Sequence, residues 1–415
     1  MPLPSSVSLN EFTLPRGFDA AGVACGLKVS GRPDVALLVA GREWSAAGVF
    51  TTNRVVAAPV DWDRAVLEAG AGRVKALIAN SGCANACTGT AGAADTRRTA
   101  SHVASALGCT AEQVLVLSTG VIGAPLDMDK LTRGIDDAFA RLGAPAGGTG
   151  GETRHAGAVR AIMTTDTVAK TAAAEMVLDG KPVAIRGFAK GAGMIHPGMA
   201  TMLAVVTTDA EVEPARLHTL LSTACARSFN RVTVDGDMST NDTLLLLASG
   251  ESGARVEGAS EAVFAAGLTE VCVSLARQIA ADGEGATRLV EVTVAGAGTE
   301  ADAHRVADAI ARSPLFKTAV HGGDPNWGRV LAAAGSCGVG FDPAAVSLVF
   351  GEGAAAIQVV REGMRASYLE TEAAARLREN PVAVRLNLGT GGHEATVWTC
   401  DFSAAYVSIN ADYTT

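Results

Sequence analysis

Residues 190–209 read KGAGMIHPGMATMLAVVTTD, a loop that runs straight into a stretch the chain has to bury. Gly191, Gly193, Pro197 and Gly198, with Gly187 upstream, punctuate the chain before Ala200 and Thr201. Residues 202–208 are then apolar or β-branched, the pattern of a strand inside a core. Thr201 therefore stands where a turn-rich loop enters a buried strand, at the mouth of something. The ordinary reading is a loop-to-strand junction. A chemical reading opens if the chain breaks before Thr201, because the new α-amine, with a pKa of about 8, is a base beside its own hydroxyl.

The remaining pattern mixes strands and helices in no fixed alternation. Residues 35–39, 74–80 and 114–117 read as strands, and 93–107 and 127–142 as helices. A glycine-rich surface loop, GAPAGGTGGETRHAG, follows. Pro214 opens a helix whose stripe is Leu217, Leu220, Leu221, Ala224 and Cys225. Residues 231–234 are expected to form a strand. Phe264, Leu268, Val271, Leu275 and Ile279 mark a longer helix that ends near Asp282. Residues 289–294 alternate as a half-buried strand should, 346–359 hold two strands around a Gly-Glu-Gly turn, and two more flank Gly391 and Gly392. This irregular order favours α+β layers over a doubly wound sheet.

Several function classes fall away. The net charge of −9 argues against nucleic acid or an anionic membrane as partner, since both call for a basic face. No uninterrupted apolar run in the sequence reaches the roughly 20 residues a membrane span needs. The first residues, MPLPSSVSLNEF, lack the order of a signal peptide, so a cytoplasmic location is expected. The eight cysteines are scattered apart from Cys83 and Cys87, and the seven histidines are dispersed. Buried reduced thiols and no metal site are expected.

Besides the 190–209 segment, the chain carries NSGCANACTG at 80–89, STGVIG at 118–123, MTTDT at 163–167, STNDT at 239–243, DPNWGRVLAA at 324–333 and INADYTT at 409–415. In this order, from about residue 17 to the end, these strings closely resemble the ornithine acetyltransferase family, the bifunctional glutamate N-acetyltransferases of arginine biosynthesis. The resemblance implies an α/β sandwich with a smaller C-terminal domain. It also implies ping-pong transfer of acetyl from N-acetylornithine to glutamate through Thr201, after self-cleavage between Ala200 and Thr201. The chain would then divide into an α chain, 1–200, and a β chain whose residues 201–285 complete the sandwich and whose residues 286–415 form the smaller domain. The family's tendency to α2β2 assemblies extends to the expected partners.

Site roles carry over position by position. Thr119 and Gly120 match the family's oxyanion pair, a hydroxyl and a backbone N–H; read alone, Ser-Thr-Gly is a common strand-ending turn. Thr164 matches a substrate-contacting threonine, with Thr165 and Thr167 close enough for a shift of register. Lys190 matches the partner of a substrate carboxylate, against the plain reading of a solvated loop lysine. Glu284 is expected to meet a substrate ammonium, against that of a surface carboxylate. Asn410 and Thr415 match polar contacts at the C-terminus, which requires the tail to dock through Tyr406, Val407 and Ile409. Asn241 and Asp242 read as scaffold, and Asp324, Asn326 and Arg329 as turn residues, with Trp327 able to wall a pocket.

Two positions depart from many family members, Gly198 where asparagine is common and Met238 where threonine is common; the first bears on the rate of cleavage. No cofactor is expected. The sequence has no P-loop or basic patch for an adenine nucleotide, which favours acetylornithine as donor and leaves acetyl-CoA open as a co-substrate. The alternatives are a self-processing N-terminal-threonine amidohydrolase or aminopeptidase, and a binding protein that keeps the fold without the chemistry.

Overall fold

The computed structural model describes residues 5–143, 153–196 and 202–412. Among them β1 (Asp19–Val23), β2 (Val35–Phe50), β3 (Arg73–Cys83), β4 (Val114–Val121), β5 (Lys170–Leu178), β6 (Lys181–Lys190), β7 (Leu203–Thr208) and β8 (Thr243–Ala248) form one sheet. Its order is β4-β3-β2-β8-β7-β6-β5, with β1 added on β2. Strand β2 is 16 residues long and breaks register between Val39 and Trp44. Its first part pairs with β1 and β3 and its last part with β8, so it belongs to both halves of the sheet.

The halves share an inner core. Leu38, Leu77 and Leu117 from one pack in the same cluster as Phe188, Leu203, Val205 and Leu247 from the other. Helices α1 (Ala58–Ala69), α2 (Gly89–Leu107), α3 (Met128–Leu142) and α4 (Arg154–Ile162) come from the first part of the chain, α5 (Pro214–Ala226) and α6 (Ala259–Ala281) from the second. Helices α2 and α3 cover the outer face of the first half, α5 and α6 that of the second, and α4 inserts Val159 and Ile162 into the inner core. The result is an α+β layered sandwich.

This layering explains why 202–208 lacks polar alternation. Leu203 and Val205 face the inner core, Ala204 and Val206 the outer one, so every residue of β7 is buried. Strand β8 repeats the arrangement with Leu244 to Leu247. Helix α6 is long and apolar enough to cross a bilayer by length and composition. Here its stripe of Phe264, Leu268, Val271, Leu275 and Ile279 is fully buried against the sheet, each side chain contributing about 1.5–3 kcal/mol. Gly187 in β6 permits that approach: a Cβ there would stand 2.8 Å from Leu275 and 2.9 Å from Val271.

A second sheet holds β9 (Leu289–Ala297), β10 (Ser347–Phe350), β11 (Ile357–Arg361), β12 (Met364–Arg365), β13 (Val382–Asn387) and β14 (His393–Cys400), in the order β12-β11-β10-β13-β9-β14. Helices α7 (Glu300–Arg312), α8 (Pro314–Gly322), α9 (Trp327–Gly335) and α10 (Glu370–Arg376) contribute to its core. The two units are joined through β9 and β14, whose Leu289, Trp398 and Cys400 pack in the first unit's outer core. Helix α11 (Ala404–Asp412) then lies against the turn that follows α6, with Asn410 on Glu284.

Three expectations change. Residues 231–234 are not a strand: a tight turn at Phe229–Arg231 leads to a single bridge from Val232 to Trp398. The amides of Thr233 and Val234 are taken by Trp398 O at 3.0 Å and Ile195 O at 2.8 Å, so no ladder continues. Cys87 is exposed because it sits in a left-handed turn, φ 58°, outside the core. Trp327 opens α9 and packs on the second core instead of walling a site cavity, while Asn326 caps that helix.

Candidate active site

At the ends of β4 and β6 a cavity of about 100 Å³ brings together Thr119, Gly120, Thr164, Lys190, Glu284 and Asn410. Ala200, Thr201, Gly198 and Thr415 lie outside the described residues.

Strands β3 and β4 run parallel, with Ser81 beside Thr119 and Gly82 beside Gly120. Gly120 has φ +132°, and a Cβ on it would lie 2.4 Å from the Gly82 carbonyl carbon and 2.6 Å from Cys83 N. Glycine is therefore required where the two strands approach, and the residue lines the cavity. The flank is stitched by amides: Ser118 Oγ donates to Asn80 Oδ1 at 2.6 Å, and Asn241 Nδ2 donates to Ser118 O at 2.9 Å and Ala84 O at 2.7 Å.

Two buried lysines stand near each other with opposite situations. Lys170 donates to Asp166 at 2.7 Å and Asp282 at 2.5 Å. Lys190 is just as buried, yet has no ion-pair partner among the described residues. Burial pushes its pKa down, while Asp166, Asp242 and Glu284 pull it back up and Lys170 pushes it further down. A buried, unpaired ammonium beside a cavity can take a carboxylate. Across the cleft Glu284 Oε2 accepts from Asn410 Nδ2 at 2.9 Å. Gly193 makes room for it, since a Cβ there would stand 2.4 Å from the Glu284 carboxylate.

The C-terminal tail docks in part by the residues expected. Ser403 Oγ donates to Gly285 O at 2.6 Å, and Tyr406 stacks near Phe402. Burial first, and the hydrogen-bonded Asp235 next, raise the Tyr406 phenol above its usual pKa. Tyr406 and Ile409 are half-buried while Val407 remains exposed, so polar anchors add to the apolar contact that was expected.

The sequence reading missed the network behind the cleft. Asp166 Oδ2 accepts from Thr164 N at 2.9 Å, and its Oδ1 accepts from Gly191 N at 2.7 Å and from Lys170. Burial alone would raise this carboxyl; Lys170, Lys190 and the Gly191 amide together hold it well below the usual range. Thr167, in the same string, is turned away and hydrogen-bonds Asp282, whereas Thr164 and Thr165 both line the cavity. The signal was Asp166 itself inside MTTDT, four residues before Lys170. Breaking a buried pair of this kind costs about 3–5 kcal/mol. Asp166→Asn should lower the unfolding midpoint at neutral pH in calorimetry. The depressed carboxyl adds stability above its unfolded value and loses it as pH falls, so the gap to wild type should narrow below about pH 4. A gap that stayed constant to pH 2 would show that Asp166 is not ionised in the fold.

The described residues before position 197 and after position 201 are both tied to residues 235–243. On the first side, Met194 N and Ile195 N donate to Asp235 at 2.6 and 2.9 Å. On the second, Met202 N donates to Asp242 Oδ1 at 3.0 Å, and Thr243 N donates to Met202 O at 3.1 Å.

Residues 19–415 match the model of the ArgJ family. The chain is 49% identical over 404 residues to the arginine biosynthesis bifunctional protein ArgJ of Parasynechococcus marenigrum, covering 97% of this chain and 95% of that protein. It is 45% identical to the protein of the same name from Thermobifida fusca, over 97% and 99% of the two chains. Among solved structures, the Bacillus halodurans arginine biosynthesis bifunctional protein is 38% identical with a TM-score of 0.48, over 50% of this chain and 97% of that one. The ornithine acetyltransferase of Mycobacterium tuberculosis, solved with ornithine, is 40% identical with a TM-score of 0.39, over 48% and 98%.

Proposed function

The chain belongs to the ArgJ family, and on that footing we propose that this enzyme of arginine biosynthesis transfers acetyl from N-acetylornithine to glutamate through an ester on Thr201. The observation that carries this reading is the pairing of opposite charges across one small cleft. Lys190, unpaired among the described residues, suits an α-carboxylate, and Glu284 suits an ammonium, which together favour an amino acid as substrate.

The nucleophile is made by the chain. The Thr201 hydroxyl attacks the Ala200 carbonyl, the acyl group moves from nitrogen to oxygen, and water hydrolyses the resulting ester. The freed amine takes the proton of Thr201 Oγ as that oxygen attacks the acetyl carbonyl of the donor. The amide C–N bond breaks, ornithine leaves with the proton, and the glutamate amine attacks the acetyl ester to regenerate the hydroxyl. Thr119 and the Gly120 amide stabilise the oxyanion of each tetrahedral intermediate, where one such donor is worth about 3 kcal/mol. That Thr119 and Gly120 both line the cavity supports that role. The cut chains stay associated, as α2β2.

The test is a single assay with acetyl-labelled N-acetylornithine, with and without glutamate. Labelled N-acetylglutamate formed one-for-one with ornithine, and little acetate without glutamate, is the expected result. Acetate released at a rate indifferent to glutamate would instead establish the amidohydrolase. Acetyl-CoA as a second donor is read by the same assay when the label is moved to the thioester.

A further inference from the structure

Among the described residues that line the cleft, only Ala84, Ile122 and Met194 carry wholly apolar side chains. They fall into two places. Met194 goes with Glu284, because a Cβ on its neighbour Gly193 would stand 2.4 Å from that carboxylate. Ala84 and Ile122 go with Thr119 and Gly120. The parallel register of β3 and β4 runs Ser81–Thr119, Gly82–Gly120 and Cys83–Val121, and Ala84 and Ile122 are the next residue on each strand. Ala84 N donates to Val121 O at 2.9 Å, so the two chains leave the sheet side by side. Both side chains belong to a small apolar cluster built around Ala57, Val60 and Ala86, Ala84 buried in it and Ile122 half-buried.

The amide that borders this patch is already engaged. Asn241 Nδ2 donates to Ala84 O at 2.7 Å and Ser118 O at 2.9 Å, and its Oδ1 accepts from the Thr240 hydroxyl at 2.6 Å. These bonds also fix the Ala84 backbone, so its methyl is held in place. The patch therefore offers a ligand packing contact, while Lys190 and Glu284 offer charge elsewhere in the same cleft.

We propose that Ala84 and Ile122 form the acyl subsite of the cleft, sized for a short, unbranched, uncharged acyl group, with Ile122 as the wall that sets its length. The proposal rests on the reading that Thr119 and the Gly120 amide hold the oxygen of the reacting acyl group. The acyl methyl and that oxygen are bonded to one carbon, so they lie only about 2.4 Å apart by standard bond lengths. An oxygen placed on Thr119 and Gly120 thus brings the methyl to the side chains that continue those two strands. N-acetylornithine and glutamate differ in side chain and share only the acetyl group that passes between them. One subsite for that group serves both halves of the reaction, and the acyl group changes its bonding partner without leaving it. A cavity of about 100 Å³ leaves little room for a longer chain.

The test is ornithine release from N-acetyl-, N-propionyl- and N-butyrylornithine by wild type and by Ile122→Ala, read as ratios of kcat/KM. Wild type should use the propionyl compound about tenfold or more less well than the acetyl one, and the butyryl compound less well again. Ile122→Ala should raise the propionyl-to-acetyl ratio at least about tenfold. A ratio taken within one protein does not depend on how much of it is active, so a structural defect alone leaves it unchanged. Ala84→Gly should move the ratio the same way by a smaller factor, which keeps the test open if Ile122→Ala does not fold. Ratios equal to wild type in both variants would overturn the subsite. So would a wild type that takes butyryl, or the charged N-succinylornithine, as well as acetyl. Acyl groups released to water and not to glutamate, with the ratios as expected, would sink the transfer reading and leave the subsite standing. No ornithine from any of these compounds would remove both.

Discussion

Thr201→Ala protein will remain one uncut chain of 415 residues and will transfer acetyl at least about four orders of magnitude more slowly than wild type. The substitution removes the oxygen that attacks in both reactions, cutting and transfer, so a single change silences two steps. Fold should survive. Residues 197–201 are flanked by anchors that do not involve the threonine side chain, Asp235 before and Asp242 after. Thr201→Ser retains a hydroxyl and should cut and transfer at reduced rates. Mass spectrometry of the three proteins, with a transfer assay on each, checks this. An alanine variant that was cut at the same bond would show that another group performs the attack.

Lys190→Met should raise KM for both acetylornithine and glutamate, lowering kcat/KM by about 30- to 1000-fold, or about 2–4 kcal/mol. The fold already keeps this lysine buried with no ion-pair partner among the described residues, so an apolar side chain of similar length should cost no stability and could add some. The loss falls on the substrate, whose carboxylate would enter the cleft without a cation to meet it. The pH dependence follows in sign. Burial lowers the lysine below its ordinary value, so its charge is lost as pH rises through that lowered value. Wild-type KM should therefore climb in the alkaline range before about pH 10.4, where an exposed lysine would titrate, and KM of the methionine variant should stay flat there. Equal KM values in the two proteins would put the substrate carboxylate elsewhere.

Local pattern carried much of the fold because local physics decides it. The stripe of α6 and the unbroken apolar run of β7 follow from burial on one face and on two faces respectively. Residues 231–234 look the same to that logic, yet their amides are claimed by Ile195 and Trp398, partners far away in sequence. The cleft residues were legible through motif resemblance, not periodicity: nothing in the spacing of Thr119, Lys190 and Glu284 says that one cavity joins them. Asp166, Lys170 and Asp282 escaped for a related reason. Their importance lies in mutual neutralisation across 112 residues of chain, and a lone aspartate or lysine in a sequence looks like surface.

The strand order has a consequence for the life of the molecule once cut. Strands β7 and β8 follow the proposed break, and they lie between β2 and β6, which precede it. The β7–β8 pair would thus be gripped on both flanks by the other fragment, in register from Ile185–Thr208 to Lys190–Leu203 on one side and from Phe50–Thr243 to Ser45–Ala248 on the other. The intact precursor assembles this sheet in a unimolecular reaction. After cutting, the same sheet can be rebuilt only when two separate polypeptides meet, at a rate that depends on concentration and competes with aggregation of exposed apolar strands. Cleavage would therefore act as a one-way ratchet: the folded enzyme persists because leaving its structure is slow, and an unfolded copy has lost the covalent route by which it was first made.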